Sequence, residues 1–321
     1  ADRLGYRPNH LARSLITGQT KTIGVVAGDI QSPFYARILR GIEDVACENG
    51  FGVLLTNSDE QPAREIEAVQ LLARKQVDGM IVAPGDLAGA AHLRGLADGG
   101  LPIVQIDRRV RGLDAYSVTV DNTAAARDCV ETLLAAGHRA IAIVAELERW
   151  EGGGLDDFVA AALTGRILPE RLFPGWQRLL SYVLAHRDHG LPVRPELIAR
   201  VGAYSAEAAE RAVQMLLSAP AATRPTAIFS TDGLMSGAVM AALNARDLAV
   251  PGDLSLICFD DLDWMGFHRP GISAVLQPMA EIGRAAAELL LERLASRREE
   301  PRHVVLPARL IHRGSVTAPR G

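Results

Sequence analysis

The segment TIGVVAGDIQSPFY, residues 22–35, carries the pattern that decides the fold. It begins with an apolar, β-branched run over Thr22–Ala27, passes through a polar turn, and enters an amphipathic stretch over Pro33–Asn49 that Gly50 ends. A strand that is apolar almost throughout is typical of a sheet whose two faces are covered by helices. The segment therefore predicts the first strand-turn-helix unit of a parallel α/β sheet.

The same alternation continues along the chain, first to Gly137 and then again from Ala140. The predicted strands cover residues 22–27, 52–56, 79–83, 103–106, 117–120, 140–144, 199–202, 226–230, 254–259, 272–276 and 304–307. The predicted helices cover residues 33–49, 63–75, 87–97, 123–135, 175–187, 206–217, 234–245 and 279–296. Two doubly wound parallel-sheet subdomains in series predict a ligand cleft between the carboxyl ends of their sheets.

Composition excludes several classes of protein. The chain has 321 residues, enough for roughly two domains of about 150 residues, and its formal net charge is −4. The 3 cysteines, Cys47, Cys129 and Cys258, lie far apart in apolar runs, which favours buried free thiols in a reducing compartment over a disulfide or zinc framework. No apolar run approaches the ~20 residues of a membrane span, and no secretory segment is evident, so we expect a soluble, cytoplasmic protein.

Two segments interrupt the α/β alternation. Residues 149–173 contain Gly152–Gly154 and the short apolar run Phe158–Leu163, which indicates either an active lid or a disordered insertion. Residues 2–21 carry Arg3, Arg7, Arg13 and Lys21 against Asp2, a local charge of +3 in an acidic chain. The acidic total argues against nucleic-acid binding by the chain as a whole, but this end is a basic patch.

Motifs of catalysis and of nucleotide cofactor binding are missing from the sequence. There is no Gly-x-Ser-x-Gly elbow, no phosphate loop ending in Gly-Lys-Ser/Thr, and no Gly-x-Gly-x-x-Gly after the first strand. The first turn, Gly28–Pro33, lacks the glycines that a pyrophosphate needs. His186 and His189 could share a metal on a helix, but no carboxylate-rich motif surrounds them, which favours a solvated helix end. We expect no enzyme activity, no cofactor and no metal.

Polar or aromatic residues do recur at the carboxyl ends of the predicted strands. A single aspartate at such a place is most often a helix N-cap, but a whole set on one edge of both halves indicates a binding site. The set consists of Asp29, Phe34, Tyr35, Asp107, Asp121, Asn122, Tyr204, Thr231, Asp232, Asp260, Asp261 and Gln277. Carboxylates and amides bind hydroxyl groups, and aromatic rings stack on sugars or bases. The set therefore predicts a polyhydroxylated or amide-bearing small-molecule ligand.

The basic N-terminal segment carries a second set of candidate residues. Asn9–Leu15 can form a helix of under two turns, which is stable only against a partner. Arg7, Asn9 and Arg13 can contact phosphates or bases, and Leu15 is an apolar wedge of the kind that unstacks a base step from the minor groove. A frayed basic tail is the alternative, and composition alone favours it.

A series of motifs in a specific order and spacing runs through the whole chain. They are LGYRPN at 4–9, ARSL at 12–15, TKTIG at 20–24, DI at 29–30, PFY at 33–35, GIE at 41–43, DGMI at 78–81, VDN at 120–122, GH at 137–138, VPGDLSL at 250–256, FDD at 259–261 and QP at 277–278. The series resembles the lactose/galactose repressor (LacI/GalR) family of bacterial transcription regulators. That resemblance implies a periplasmic-binding-protein-like fold of type I, a homodimer, and operator DNA as a partner.

The resemblance also implies an organisation of the chain. Residues 1–20 are expected to be the end of a helix-turn-helix module, of which only Ala1–Gly5 are present here, followed by the hinge helix. Residues 21–137 plus 275–302 are expected to form the first effector-binding subdomain, and residues 138–274 plus 303–321 the second. Leu15 resembles the hinge leucine that wedges into the operator, with Asn9, Arg13 and Ser14 beside it.

Effector-contacting positions are implied in the same way. Those that match the family pattern are Phe34, Tyr35, Asp121, Tyr204, Thr231, Asp260 and Gln277. The sequence departs from the family at the arginine that grips the effector, three residues before a Gly-aromatic pair. Gly175-Trp176 is present, but Leu172 stands at the expected place, with Arg171 before it and Arg178 beyond. Arg171 is the candidate that we predict, after a connection longer than is usual.

The leading hypothesis is a DNA-binding transcription regulator, acting as a repressor, whose operator affinity responds to a sugar or sugar derivative. The alternative is a periplasmic sugar-binding protein of a transporter. The three cysteines, the missing secretory segment and the basic stretch 7–15 argue against that alternative. A small-molecule enzyme of doubly wound fold is disfavoured by the missing nucleophile and phosphate motifs.

Overall fold

The computed structural model describes residues 19–113, 115–147, 150–202, 204–220, 223–295 and 300–320. Within these ranges the chain divides into two compact units, each with its own sheet and helices. The first unit consists of the chain up to Thr119 and of the later segment Met279–Val305. The second unit consists of Val120–Pro278 and the segment from Leu306 onward. The hinge residues Arg7, Asn9, Arg13, Ser14 and Leu15 lie outside the described residues.

A six-stranded sheet forms the centre of the first unit, in the order β11-β5-β4-β3-β1-β2. Its strands are β1 (Thr22–Ala27), β2 (Gly52–Asn57), β3 (Gly79–Val82), β4 (Ile103–Ile106), β5 (Tyr116–Val120) and β11 (His303–Leu306). The helices are α1 (Pro33–Glu48), α2 (Pro62–Arg74), α3 (Ala91–Asp98) and α10 (Met279–Ala295). The pairings of β1 with β2 and β3, of β3 with β4, and of β4 with β5 are parallel. β1, β3 and β4 are buried nearly throughout, as the apolar runs predict.

The second unit has a six-stranded sheet of the same kind, in the order β12-β10-β9-β8-β6-β7. Its strands are β6 (Ile141–Glu146), β7 (Ile198–Val201), β8 (Ala227–Ser230), β9 (Ser255–Phe259), β10 (Ser273–Leu276) and β12 (Arg309–Ile311). Its helices are α4 (Asn122–Ala135), α5 (Leu155–Leu163), α6 (Pro174–Asp188), α7 (Ala206–Leu217), α8 (Gly233–Asn244) and α9 (Asp263–Phe267). Only the pairing of β12 with β10 is antiparallel among the pairings described for this sheet. The predicted α/β class with two parallel-dominated sheets is confirmed.

The insertion over residues 149–173 contains a helix that the sequence did not predict. α5 buries Phe158 completely, and the Phe158 ring packs on Trp176 of α6 at a centroid distance of 4.5 Å and edge-on against Trp150 at 5.2 Å. The described part of the insertion therefore packs against the core of the second unit. This packing argues against the interpretation of the segment as a disordered insertion. A 3-10 turn, Pro169–Arg171, links α5 to α6.

The helix that follows Asp121 belongs to the second unit, because α4 contributes Cys129, Val130 and Leu133 to the same core as β6 and α6. The sequence placed the first boundary after residue 137, so the division by contacts falls earlier in the chain. The predicted start of α3 at Leu87 also differs from the observed start at Ala91. The preceding turn is held instead by the buried Glu65 carboxylate, which accepts a hydrogen bond from the Gly85 N–H.

The prediction of three buried thiols is wrong for one cysteine. Cys129 and Cys258 are buried, but Cys47 is exposed, because it lies on the outer face of the last turn of α1. No helix within the described residues has the length and apolar character to cross a membrane.

Candidate functional site

The carboxyl edge of the first sheet carries a chain of polar side chains centred on Tyr35. Tyr35 is 6% exposed on α1, and its hydroxyl donates a hydrogen bond of 2.9 Å to Glu60 Oε1. Burial, reinforced by the Glu60 carboxylate, raises the pKa of Tyr35 well above its usual value, so it remains a hydrogen-bond donor at neutral pH. The other Glu60 oxygen is ion-paired with Arg108, whose Nε also bonds Asp107 Oδ2 at 3.0 Å.

Asp29 and Phe34, two other predicted residues of this unit, are close to Tyr35 in the sequence. Asp29 follows β1 and is half-buried, and its carboxylate accepts the N–H of Gln31 at 2.9 Å. Ser32 caps α1 by accepting the Phe34 N–H, which sets the start of the helix. The half-buried Phe34 ring meets Tyr35 edge-on at 5.1 Å. This edge therefore offers an aromatic face, three carboxylates and a guanidinium.

At the carboxyl edge of the second sheet, Asp232 and Asp260 lie at the start of α8. Asp232 caps α8 by accepting the Met235 N–H at 2.9 Å. Asp260 is 6% exposed at a φ of +68°, and it accepts bonds from the Gly233 N–H at 3.2 Å and from the Gln277 amide. Burial, with the nearby Asp260 as a smaller cause, raises the pKa of Asp232 to about 6.

Thr231 and Gln277 share a feature that points to a missing partner. The Thr231 hydroxyl and the oxygen of the Gln277 side-chain amide are buried, and within the described chain neither has a hydrogen-bond partner. Such groups cost about 1–3 kcal/mol each when they stay unsatisfied. Both belong to the set predicted from the sequence, and both lie next to the Asp260 network. A polar ligand at this edge could satisfy them.

Tyr204 and Asp121 complete the predicted residues of the second unit. Tyr204 is half-buried against the core formed by α7, α8 and β9. Asp121 is exposed and caps α4, accepting the Ala124 N–H at 2.9 Å and the Thr123 hydroxyl at 2.7 Å. Capping uses one oxygen of Asp121, which leaves the other available to a ligand.

The two candidate arginines occupy different environments. Arg171 is exposed on the 3-10 turn before α6. Arg178 is 5% exposed on α6, and its Nε and Nη2 donate to Asn122 Oδ1 at 3.1 and 2.7 Å. A third donor bonds the Thr231 carbonyl, and the guanidinium lies 3.7 Å from the centroid of the Phe259 ring. Arg178, and not Arg171, is thus the arginine that contacts the predicted site residues.

Sequence reasoning did not select Glu60 or Arg108 for this site. Glu60 follows β2 and Arg108 follows β4, so a search of every strand end would have found them. Arg178 lies one turn into α6, where only the packing of that helix on Asn122 brings it to the sheet edge. Among the described residues, no three His, Cys, Asp or Glu side chains are grouped closely enough to hold a metal ion.

Comparison with known proteins matches this geometry to one family. The family model described as "Periplasmic binding proteins and sugar binding domain of LacI family" matches residues 20–152, and the "Periplasmic binding protein-like domain" matches residues 130–316. Catabolite control protein A of Priestia megaterium is 34% identical over 98% of this chain and 87% of its own length. The HTH-type transcriptional repressor CytR of Escherichia coli K12 is 32% identical over 99% of this chain and 86% of its own length.

A solved structure agrees with these relatives. The complex of the transcriptional regulator CelR with cellobiose superposes with a TM-score of 0.76 at 25% identity, over 98% of this chain and 88% of that chain. The named relatives are transcription regulators and not enzymes or transport receptors, so neither alternative function is favoured. The chain belongs to the lactose/galactose repressor family of transcription regulators.

Proposed function

We propose that this transcription regulator represses by binding operator DNA as a homodimer in the cytoplasm, and that a sugar or sugar derivative at the carboxyl edges of its two sheets changes its operator affinity. The observation that carries the proposal is the pair of unpartnered acceptors, Thr231 Oγ1 and Gln277 Oε1, beside the Asp260 carboxylate. A ligand rich in hydroxyl groups can donate to both. The cellobiose bound to the similar regulator CelR supports a carbohydrate.

Each unit supplies candidate effector contacts at the carboxyl edge of its own sheet. The set predicted from the sequence is Asp29, Phe34, Tyr35, Asp121, Arg171, Tyr204, Thr231, Asp232, Asp260 and Gln277. We propose Arg178 in place of Arg171, and we add Glu60 and Arg108, because these three side chains bond residues of those edges. Aromatic side chains on α1 suit the apolar face of a sugar ring, and the carboxylates suit its hydroxyls. An effector that binds one conformation better than another shifts operator affinity by its differential binding, typically about 1–3 kcal/mol.

A thermal-shift screen of sugars, polyols and nucleosides is expected to identify the effector, because a ligand at about 100 times its dissociation constant adds about 2.7 kcal/mol of stability. Asp260→Asn should then weaken the ligand about 10- to 100-fold, since hydrogen bonds to a charged group contribute about 1.5–3 kcal/mol. Asparagine also tolerates the positive φ of this position.

The control is Asp128→Asn, on the exposed face of α4, which should bind the ligand as the wild type does. Equal affinity of Asp260→Asn and the wild type would show that the effector binds elsewhere. Chemical turnover of the ligand would favour an enzyme.

The hinge residues Arg7, Asn9, Arg13, Ser14 and Leu15 are proposed to contact the operator. Leu15→Ala in the full-length protein should weaken operator binding at least about 10-fold, because the wedge contact would be lost. Electrophoretic mobility shifts at several salt concentrations would measure the loss. Lys21→Gln, a charge change that leaves Leu15 intact, should mainly lower the salt slope. Equal affinity and equal salt slope for Leu15→Ala and the wild type would rule out the wedge.

A further inference from the structure

The first unit contains a cavity of about 460 Å³ at the edge of its sheet opposite to the candidate effector residues. Asp78 and Pro102 line it just before β3 and β4, and Tyr116 lines it as the first residue of β5. The effector candidates Glu60 and Arg108 follow strands of the same sheet at their carboxyl ends. The strands thus separate the cavity from that set, and it is a different place in the fold.

Two hydrogen-bond donors in the wall of the cavity have no partner. Tyr116 is 3% exposed, and its hydroxyl is buried without a hydrogen bond. Arg293, near the end of α10, has a buried Nη1 that is likewise unpaired, and no ion pair of the described residues includes it. An unsatisfied buried donor is costly, and the cost is higher for a charged group. A guanidinium and a phenol in one wall are the donors that an oxyanion requires.

The acidic residue in the wall does not bond these donors, because its carboxylate oxygens already accept other hydrogen bonds. Asp78 Oδ1 accepts the Thr20 N–H at 2.7 Å and the Thr20 hydroxyl at 3.0 Å, and Oδ2 accepts the Lys21 N–H at 2.8 Å. A further cation, Arg302, lies 5.8 Å from the centroid of the Tyr116 ring, and it is ion-paired with Glu292. The wall therefore carries one carboxylate and one guanidinium, and its unpaired hydrogen-bond donors are the Arg293 guanidinium and the Tyr116 hydroxyl.

We propose that this cavity is a second small-molecule site, which takes an organic anion by pairing its carboxylate or phosphate group with Arg293 and Tyr116. Its volume lies within the range of about 300–1,000 Å³ that holds small ligands. The remaining wall is Gln19 together with glycine, proline and aliphatic residues, and the surface that lines the cavity is mostly polar, which suits a small polar anion. The same wall includes Gln19, where the described chain begins.

Differential scanning fluorimetry with a hydrophobic dye, under sodium phosphate or sodium succinate at matched ionic strength, would test the proposal. Sodium chloride sets the baseline. We expect a saturable rise in the melting temperature of at least about 2 °C with one of the two anions, from preferential binding to the folded state. Which anion acts identifies the charged group of the ligand.

Variants assign the effect to the cavity. Arg293→Gln removes the positive charge, and Tyr116→Phe removes the hydroxyl. Each substitution should weaken the affinity for the anion at least about 10-fold. Without the anion, each variant should melt at the temperature of the wild type. Arg284→Gln, exposed on the same helix, should keep the full response. The proposal is overturned if neither anion gives a saturable rise, or if the rise persists in Arg293→Gln.

Discussion

Gly283→Ala is expected to destabilise the first unit by about 3 kcal/mol, the upper part of the range for an overpacked contact. α10 crosses α1 so closely that a Cβ on Gly283 would lie 2.0 Å from the Ile38 carbonyl oxygen, and a Cβ on Gly41 would lie 2.1 Å from that of Ala280. The clash is with backbone on both sides, so no side-chain rotation can relieve it and the helices must separate.

Hydrogen exchange of peptides from α1 and α10 would measure this loss. Tryptophan fluorescence would not, because the 3 tryptophans, at positions 150, 176 and 264, all lie in the second unit. The matched control is Gly95→Ala in α3, where a Cβ has no neighbour within 4 Å. That variant should gain about 0.5–1 kcal/mol from helix propensity. Similar effects of the two substitutions would contradict the close packing of α1 on α10.

Arg178→Met is expected to lower the free energy of unfolding of the second unit by about 3 kcal/mol. Methionine keeps an apolar stem against the Phe259 ring, but Asn122 Oδ1 loses both of its Arg178 donors and the Thr231 carbonyl loses another. A buried acceptor left without its donor costs about 1–3 kcal/mol. Removal of the positive charge should also move the pKa of Asp232 upward from about 6, because Arg178 lowers it.

Urea unfolding followed by tryptophan fluorescence would measure the stability change, because the 3 tryptophans all lie in the second unit. Arg171→Met is the control, since this arginine is exposed on the 3-10 turn and its loss should change stability by no more than about 0.5 kcal/mol. If Arg171→Met abolished effector binding and Arg178→Met did not, the sequence-based choice of Arg171 would be right and the structural choice wrong.

The alternation of apolar runs and amphipathic stretches was sufficient to predict most of the secondary structure. The bounds of β1, β4 and α7 agree with the prediction to the residue. α5 was missed because its apolar run follows three glycines, and its helix is stabilised by Trp150 and Trp176. Those contacts join three separate segments, which a local pattern cannot reveal.

For the candidate site too, the sequence was sufficient to place some residues and not others. Asp29, Thr231 and Asp260 could be placed at a sheet edge from the sequence, because residues that follow parallel strands meet at one edge. The bond from Tyr35 to Glu60, and the choice of Arg178, depended on how helices pack on the sheets.

The sequence by itself determined the α/β class, the order of strands and helices, and the family, because these depend on local periodicity and on motifs with fixed spacing. Only the tertiary structure decided that α4 belongs to the second unit, that Arg178 is buried at the sheet edge, and that Tyr116 and Arg293 share a cavity. The reason is that burial and pairing are properties of residues distant in the chain, and their energies are determined by three-dimensional packing.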